Sequence, residues 1–311
     1  MWISNRILPV LLILTVAAIA SHAAASTIDD KVDDLFLKAS SGEIRYQDLV
    51  QPSKDELIEM GSDAVPRLVT KLSSEDARER NTLVDIFRGI GALAVPALIE
   101  ALETDNLYAL RNALQCLGEI GERDATESLL RYFTDEHHSV RSAAVTAVGR
   151  CHDSSAVDPC VNLLSDSIES VRKSAAVALG RIEDARATVP LIRALDDVHF
   201  SVRMSAARSL TSIGSPACDA LLNKCDSLSV MARSLAFEVW ANSVYSSAAE
   251  ILLSETYSTD PHVRGFAVVA LASVSDEKAR DRIEKLSETE TDLFVLSRLS
   301  AAMNLLESKA E

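Results

Sequence analysis

Residues 166–182 read DSIESVRKSAAVALGRI, and this stretch decides the fold. Its apolar side chains recur every three or four residues, at Val171, Ala175, Ala178, Leu179 and Ile182. This spacing predicts an amphipathic helix, and its small alanines allow a neighbouring helix to approach closely. Asp166 stands before the helix, and Arg172 lies in its first turn, six residues later.

The same pattern recurs along the chain at intervals of 30 or 31 residues. Seven arginines keep this register: Arg80, Arg111, Arg141, Arg172, Arg203, Arg233 and Arg264. Four aspartates each stand six residues before one of these arginines: Asp105, Asp135, Asp166 and Asp197. Prolines in a constant phase open an apolar stretch, at Pro66, Pro96, Pro159 and Pro190. Several marks that keep one period from the first arginine to the last indicate a tandem repeat.

Each repeat contains two predicted helices and no predicted strand. Proline suits the start of the first helix, because its missing N–H would have no partner there. Gly118, Gly149 and Gly180 fall near the end of the second helix, where we expect them to form a left-handed cap. One pair of helices cannot bury its apolar face alone, so neighbouring pairs must stack. The sequence therefore predicts an all-α, right-handed α-solenoid of stacked helix pairs.

The unit D-x-x-x-x-V-R-x-x-A-A-x-A-L-G-x-I resembles HEAT repeats, in particular the short bacterial repeats first named after phycobilisome bilin lyases. The resemblance covers residues 62–275 and implies the fold more closely than the function, because such repeats serve scaffolds, inhibitors, lyases and a few enzymes. Residues 26–61 are predicted to form an N-terminal helical cap, and residues 276–311, which lack the Val-Arg pair, a C-terminal capping repeat. We expect one domain with eight helical pairs after the N-terminal cap.

The first 25 residues are predicted to be a secretory signal peptide. An apolar run from Ile7 to Ala20 follows Arg6, and small residues lead to Ala25. The run is too short to cross a hydrocarbon core of about 30 Å, which needs about 20 residues, although an uncleaved anchor is the alternative. We therefore expect an exported protein, periplasmic or extracellular, with no integral membrane segment after cleavage.

The charge and the cysteines exclude several classes of protein. With 31 Lys+Arg against 46 Asp+Glu, the net charge is −15, and this acid excess argues against nucleic acid as a partner. Five cysteines are too few and too scattered for a disulfide scaffold, and most should be small buried residues. If any pair forms a disulfide, Cys151 with Cys160 is the favoured one, across one inter-helix turn.

The arginines and aspartates of the repeat are interpreted as a structural ladder. An arginine in the first turn of a helix opposes the helix dipole and needs a compensating acid. The aspartate before the helix, in the same repeat or the next one, is the expected partner. Regular charge pairs of this kind belong to the interface between repeats.

The histidines do not form a predicted metal site. His138, His199 and His262 fall in the turns of alternate repeats, roughly 20 Å apart, whereas zinc needs ligands at about 2 Å. The HEAT-like deoxyhypusine hydroxylase carries His-Glu pairs for iron, and no histidine here is followed by glutamate. No catalytic constellation is found, so we predict a protein that is not an enzyme and needs no cofactor.

The candidate protein-binding surface lies on the second helices, in the phase not used for packing. It combines four cations with two apolar residues: Arg150, Lys173, Val177, Arg181, Met204 and Arg208. A concave surface of this composition suits a protein partner, although solvated helix residues would show the same pattern. The sequence thus predicts an exported protein-binding scaffold. The alternatives are a bilin-lyase-like chaperone or enzyme and, less favoured, a HEAT-like DNA-binding protein.

Overall fold

The computed structural model describes residues 27–309, so the predicted signal peptide lies outside the described residues. The chain divides into two compact units between Ser128 and Leu129. The boundaries predicted for the caps and the repeat region stay predictions.

The first unit consists of helices joined by short turns, several of them 3-10 helical. In chain order the helices are α1 (27–40), α2 (Val50–Glu59), α3 (Val65–Val69), α4 (Ala77–Ile90), α5 (Val95–Glu100) and α6 (Leu107–Ile120). Helix α7 (Thr126–Leu130) contains the point at which the chain divides.

The second unit repeats the same alternation of a shorter and a longer helix. Its helices are α8 (His138–Arg150), α9 (Val157–Leu163), α10 (Glu169–Ile182), α11 (Thr188–Ala194), α12 (Phe200–Ile213), α13 (Ser215–Lys224), α14 (Val230–Asn242), α15 (Ala249–Glu255), α16 (Pro261–Val274), α17 (Asp276–Thr289) and α18 (Leu293–Ser308). The longer helices stack in chain order from α8 to α18. No strand occurs in residues 27–309, and the prediction of an all-α stack of helix pairs is confirmed.

The glycines of the second helices do not cap them, contrary to the expectation from the sequence. Gly149 and Gly180 lie inside α8 and α10 with ordinary helical backbone, and they mark where neighbouring helices touch. A Cβ atom on Gly149 would stand 2.6 Å from the Cα of Ala178, and one on Gly180 would stand 2.8 Å from the Cα of Ser209. The repeat therefore needs glycine because no side chain fits between the stacked helices.

Left-handed backbone at the helix ends is supplied by other residues. Gly121 ends α6 with a φ of 76°, whereas Glu183 ends α10 with a φ of 59°. His152 follows α8 with a φ of 51°, and its Nδ1 lies 2.6 Å from the carbonyl oxygen of Arg181. The end of the second helix therefore turns in the left-handed region even where no glycine is available.

One stretch of the described chain, Ala77–Glu100, is long and apolar enough to cross a membrane by length and composition alone. It comprises α4 and α5, and Gly91 between them has a φ of 69°, so the backbone is not one continuous α-helix. Leu83, Ile86 and Phe87 on α4 are buried within the unit. The stretch therefore has the features of two core helices.

Candidate functional site

The arginines of α8 and α10 bind carboxylates of the following repeat. Arg172 donates from Nε to Oδ2 of Asp197 at 2.7 Å and from Nη2 to Oδ1 at 3.0 Å. Arg141 binds Asp166 through the same atoms at 2.8 and 3.0 Å. Both side chains of the Arg172 pair are 11% exposed. We call such an arginine–carboxylate pair a rung, and the surface formed by the inter-helix turns and the first turns of the second helices the rim.

Each aspartate of a complete rung joins two arginines. The carboxylate of Asp166 accepts from Arg141, while its main-chain carbonyl accepts from Nη1 of Arg172 at 2.8 Å. Asp197 likewise accepts from Arg172 through its carboxylate and from Nη1 of Arg203 through its carbonyl, at 2.8 Å. Arg172 therefore has two aspartate partners: the main-chain carbonyl of Asp166 in its own repeat and the carboxylate of Asp197 in the next repeat.

Hydrogen bonds keep these carboxylates ionised. The guanidinium of Arg172 lowers the pKa of Asp197, against burial, and the N–H of His199 adds to this effect. For Asp166, burial acts to raise the pKa, but hydrogen bonds from Arg141 and from the N–H of Ile168 lower it overall. The rungs are therefore charge-assisted contacts in a partly desolvated setting.

The ladder changes after α12. Arg203 keeps its main-chain bonds but has no carboxylate partner among residues 27–309, and its Nε is buried without an acceptor. Arg233 binds one oxygen of Glu255 at 3.2 Å. Arg264 recovers a two-bond pair with Glu290, at 2.9 and 3.1 Å, and this arginine lowers the pKa of Glu290 to about 2.

In the first unit the repeat arginines lie differently. Arg80 donates to the main-chain carbonyl of Glu75 at 2.5 Å, and both Arg111 and Asp105 are exposed and not paired with each other. The carbonyl of Asp135, at the start of the second unit, accepts from Arg141 at 2.7 Å. The ladder predicted over seven repeats is thus made of carboxylate rungs only in part.

The six residues of the predicted protein-binding surface lie on three consecutive long helices of the second unit. Lys173 and Arg208 are exposed. The other members are half-buried: Arg150, Val177, Arg181 and Met204. Ser142 and Thr146 of α8 both contact the hydroxyl of Ser174 on α10, at 2.9 and 3.3 Å. Because α8, α10 and α12 stack in chain order and the six residues recur at the same phase of these helices, they occupy neighbouring positions on the stack, which we call the basic strip.

The structure also exposes an apolar group that the sequence reasoning missed. Val198 and Phe200, at the start of α12, are 84% and 67% exposed, and Val230 and Met231, at the start of α14, are 47% and 51% exposed. A hydrogen bond between Ser229 and Asp196 joins the two turns. We call these four apolar residues the rim patch. The patch could have been found from the sequence by comparing turns, because α8 and α10 begin with His138 and Glu169, where α12 and α14 begin with Phe200 and Val230.

The cysteines supply no site in the part of the chain that the structure describes. All five are buried and free: Cys116, Cys151, Cys160, Cys218 and Cys225. The Cys151–Cys160 disulfide considered from the sequence is not formed, and the Cys151 thiol donates to the carbonyl of Ala147 of α8 at 3.5 Å. Burial raises the pKa of Cys160 to about 12, so this thiol is not an activated nucleophile.

Two other features bear on whether a small ligand could bind: clusters of metal ligands and hollows between helices, one of which lies between α9 and α11. Within residues 27–309, no group of three or more His, Cys, Asp or Glu side chains is arranged to hold a metal ion. An open hollow of about 280 Å³ lies between α9 and α11, lined among others by Val161, Pro190, Arg193 and Asp196. Its lining includes Ser165 but no histidine or cysteine, and the carboxylate of Asp197 there is already bound by Arg172.

Comparison with known proteins agrees with this architecture. A family model for HEAT repeats matches residues 65–145 and 129–211. No curated relative matches the sequence. The chain is thus a helical repeat protein of stacked helix pairs. More particularly, residues 65–211 contain HEAT repeats, as the resemblance of the repeat unit implied.

Several solved structures are similar to the chain. Kap95, the yeast importin-β solved in a Kap95:Nup1 complex, has a TM-score of 0.56 and 17% identity, over 91% of this chain and 44% of that chain. The Escherichia coli protein YibA has a TM-score of 0.52 and 17% identity, over 86% and 98%. The CpcE–CpcF complex of phycocyanin lyase from Nostoc has a TM-score of 0.42 and 20% identity, over 78% and 93%. Identities this low show a likeness of fold.

Proposed function

We propose that this protein is an exported, non-enzymatic scaffold that binds another protein through the basic strip of α8, α10 and α12. The observation that carries the proposal is a connected surface of cations and apolar residues on three stacked helices of a chain whose net charge is −15. Local positive charge on an acidic protein attracts an acidic partner, and the long stems of arginine and lysine cover apolar neighbours such as Val177 and Met204.

Two further observations support the proposal. The fold is similar to that of Kap95, which is solved in complex with another protein, Nup1. The leader of residues 1–25 has the composition of a secretory signal, so the partner would be met in the periplasm or outside the cell. No cofactor or metal takes part in the proposed binding.

The first experiment isolates a partner and measures association. Mature protein starting at Ser26 is used to capture the partner from the periplasmic or extracellular fraction. The association rate is then measured against ionic strength for wild type and for the triple variant Arg150→Glu, Arg181→Glu, Arg208→Glu. We expect the variant to associate about tenfold or more slowly at low salt, with the difference shrinking at high salt.

A matched control separates the effect of the basic strip on association from the effect of net charge. The variant Arg123→Glu, Arg193→Glu, Arg280→Glu changes the net charge equally at exposed positions outside the strip. The double variant Lys173→Glu, Arg208→Glu alters only exposed residues of the strip and should keep wild-type melting. Equal association rates for strip and control variants at low salt would contradict the proposed surface.

Export is tested separately. N-terminal sequencing of the protein from its native host should show a chain that begins at Ser26 in the periplasmic or secreted fraction. An uncleaved chain in the cytosol would contradict this part of the proposal.

A further inference from the structure

The rim of the second unit contains one arginine whose carboxylate-binding edge is unused. Arg203 occupies the helix position of Arg141 and Arg172, and its Nη1 makes the corresponding main-chain bonds, to Asp197 at 2.8 Å and to Val198 at 3.2 Å. These bonds hold the guanidinium as in its two counterparts. In those two, Nε and Nη2 bind an aspartate, whereas none of residues 27–309 accepts a hydrogen bond from this edge of Arg203.

The missing acid can be located in the sequence. The position six residues before the next repeat arginine, Arg233, is Ser227, and its hydroxyl donates to the carbonyl of Lys224 at 2.7 Å. The interval from Arg203 to Arg233 is 30 residues instead of 31. The segments that precede α12 and α14, residues 195–199 and 225–229, are nevertheless equally long, so the ladder position is present and carries serine instead of an acid.

The Nε atom of Arg233 also lacks an acceptor, although Arg233 binds Glu255, so Arg203 is distinguished by having no acceptor at either Nε or Nη2. Its Nε is buried and its Nη2 is not, so an acceptor from outside the chain would reach this edge through Nη2 and would offset the cost of the unpaired nitrogens.

Apolar groups flank the unused edge. The guanidinium carbon of Arg203 lies 5.8 Å from the centre of the Phe200 ring, and this ring is 67% exposed. Val230 of α14 stands at the position of Phe200 in the next repeat, Met231 follows it, and the Ser229–Asp196 hydrogen bond joins the two turns. An oriented guanidinium beside exposed apolar side chains is the composition found at binding hot spots.

We propose that Arg203 binds the side-chain carboxylate of an aspartate or glutamate in a partner protein, while the rim patch holds the apolar residues next to that acid. The partner supplies from outside the carboxylate that each complete rung receives from the following repeat. The two-bond geometry of a complete rung defines the site, because a guanidinium fork matches a carboxylate. This inference rests on the proposed function, since it names the chemistry of the partner, and α12 carries both Arg203 and the strip residues Met204 and Arg208.

The test uses two blocked pentapeptides with the full-length mature chain. The probe is N-acetylated, C-amidated Gly-Leu-Asp-Leu-Gly, and its control replaces Asp by Asn. Titration is followed by calorimetry and by the arginine Nε–Hε signals in NMR spectra, with the Arg203 signal assigned from the Arg203→Lys variant. We expect the acidic peptide to bind roughly tenfold or more tightly than its amide control and to shift the Arg203 signal most.

Three variants separate the fork from charge in general. Arg203→Gln and Arg203→Lys should both weaken binding of the acidic peptide roughly tenfold, because lysine keeps the charge but lacks the fork. Arg280→Gln, which removes an exposed arginine of α17, should bind like wild type. Undiminished binding by Arg203→Lys and Arg203→Gln would overturn the inference.

A fourth variant supplies the missing carboxylate from within the chain. Ser227→Asp restores an acid at the ladder position, and it should raise the melting temperature and reduce peptide binding together. If Ser227→Asp melts higher yet binds the acidic peptide as wild type does, the carboxylate of the peptide does not use this fork and the inference fails.

Two further experiments separate this inference from binding of a C-terminal carboxylate and from failure of the proposed function. A peptide with a free C-terminal carboxylate and no acidic side chain should bind more weakly than the blocked acidic probe, and tighter binding of that peptide would overturn the assignment to a side chain. If the isolated partner binds Arg203→Gln and wild type equally but loses the strip variant, the rim inference fails while the proposed function stands. If no protein partner binds the chain at all, the proposed function fails.

Discussion

Two stretches of the second unit, α8–α12 and α12–α16, use the same repeat in different ways. In the first stretch, Arg141 and Arg172 each bind an aspartate through two bonds, and Gly149 and Gly180 lie at close contacts of α8 with α10 and of α10 with α12. In the second stretch, Arg203 has no carboxylate partner among the described residues, and Arg233 binds only one oxygen of a glutamate. The regular stretch pairs its own charges, whereas the irregular stretch leaves the Arg203 guanidinium without a carboxylate and exposes the rim patch.

The two kinds of irregularity occur together. Thr211 stands one period after Gly180, where the earlier helices carry glycine, and Ser227 stands where the earlier turns carry aspartate. The interval between repeat arginines also falls from 31 to 30 at this place. The interface of α12 with α14 therefore departs from the repeat in packing, charge and length, while that of α10 with its neighbours keeps all three.

The largest expected effect comes from filling the close contact in the regular stretch. Gly149→Val places a branched side chain where even a Cβ would stand 2.6 Å from a backbone atom of α10, so the helices must separate. We expect a loss of about 3 kcal/mol in the free energy of unfolding, measured by urea denaturation.

The matched control for this substitution is Thr211→Val in the irregular stretch. Valine has nearly the volume of threonine, and the only hydrogen bond at risk joins the Thr211 hydroxyl to the carbonyl of Ala207 at 3.1 Å. We expect a loss below about 1 kcal/mol. Equal losses in the free energy of unfolding for Gly149→Val and Thr211→Val would show that the difference in packing does not affect stability.

The next effect separates complete from incomplete rungs. Arg172→Ala leaves the partly buried carboxylate of Asp197 without its guanidinium, and we expect a loss of about 2–3 kcal/mol. Arg203→Ala leaves no carboxylate without a partner among the described residues, and it also removes a buried nitrogen that lacks an acceptor. Its loss should be below about 1 kcal/mol, so the two variants should differ clearly in thermal melting.

Two results would count against this comparison. If Arg172→Ala melts like wild type while partner binding collapses, the regular rungs serve recognition instead of stability. If Arg203→Ala destabilises as much as Arg172→Ala, the main-chain bonds of Nη1 carry the stability of every rung.

The smallest expected effect is the loss of stability at low pH. It tests whether the Arg264–Glu290 pair, which follows the irregular stretch, behaves as a complete rung. The folded pKa of Glu290, about 2, lies below its ordinary value of 4.5, so the folded state favours the ionised carboxylate. Its contribution to stability is therefore fully present above about pH 4.5 and is lost as the pH falls toward 2. We expect this to contribute on the order of 1–2 kcal/mol to acid destabilisation.

The variant Glu290→Gln isolates that contribution. It should melt below wild type at neutral pH, and the difference should shrink as the pH falls from 5 toward 2, because wild type then loses the same pair. A constant difference across this range would mean that Glu290 does not titrate as a paired group.

The fold could be predicted from the sequence because several marks keep one period, and a single helix pair cannot bury its own apolar face. The aspartate partners of Arg141 and Arg172 follow from the spacing of the repeat, whereas the glutamate partners of Arg233 and Arg264 and the use of two different groups of one aspartate require coordinates. Gly149 and Gly180 were misread as caps, since a glycine near a helix end fits both a cap and a close contact. The rim patch was missed because the periodic marks consist of residues that recur, whereas Phe200 and Val230 differ from the polar residues that begin α8 and α10. Their exposure in the folded chain then shows that they form a surface.

The double use of each aspartate has a mechanical consequence. Because Asp166 and Asp197 each hold the arginine before them and the arginine after them, the contacts of α8, α10 and α12 form links in series. A pulling load applied along the stack would pass from one link to the next, and it would first yield at the link without a carboxylate, after Arg203. We therefore expect the helices of the second unit to separate under tension first at the turn before α14. A carboxylate of a partner bound at Arg203 would hold the two sides of this turn together.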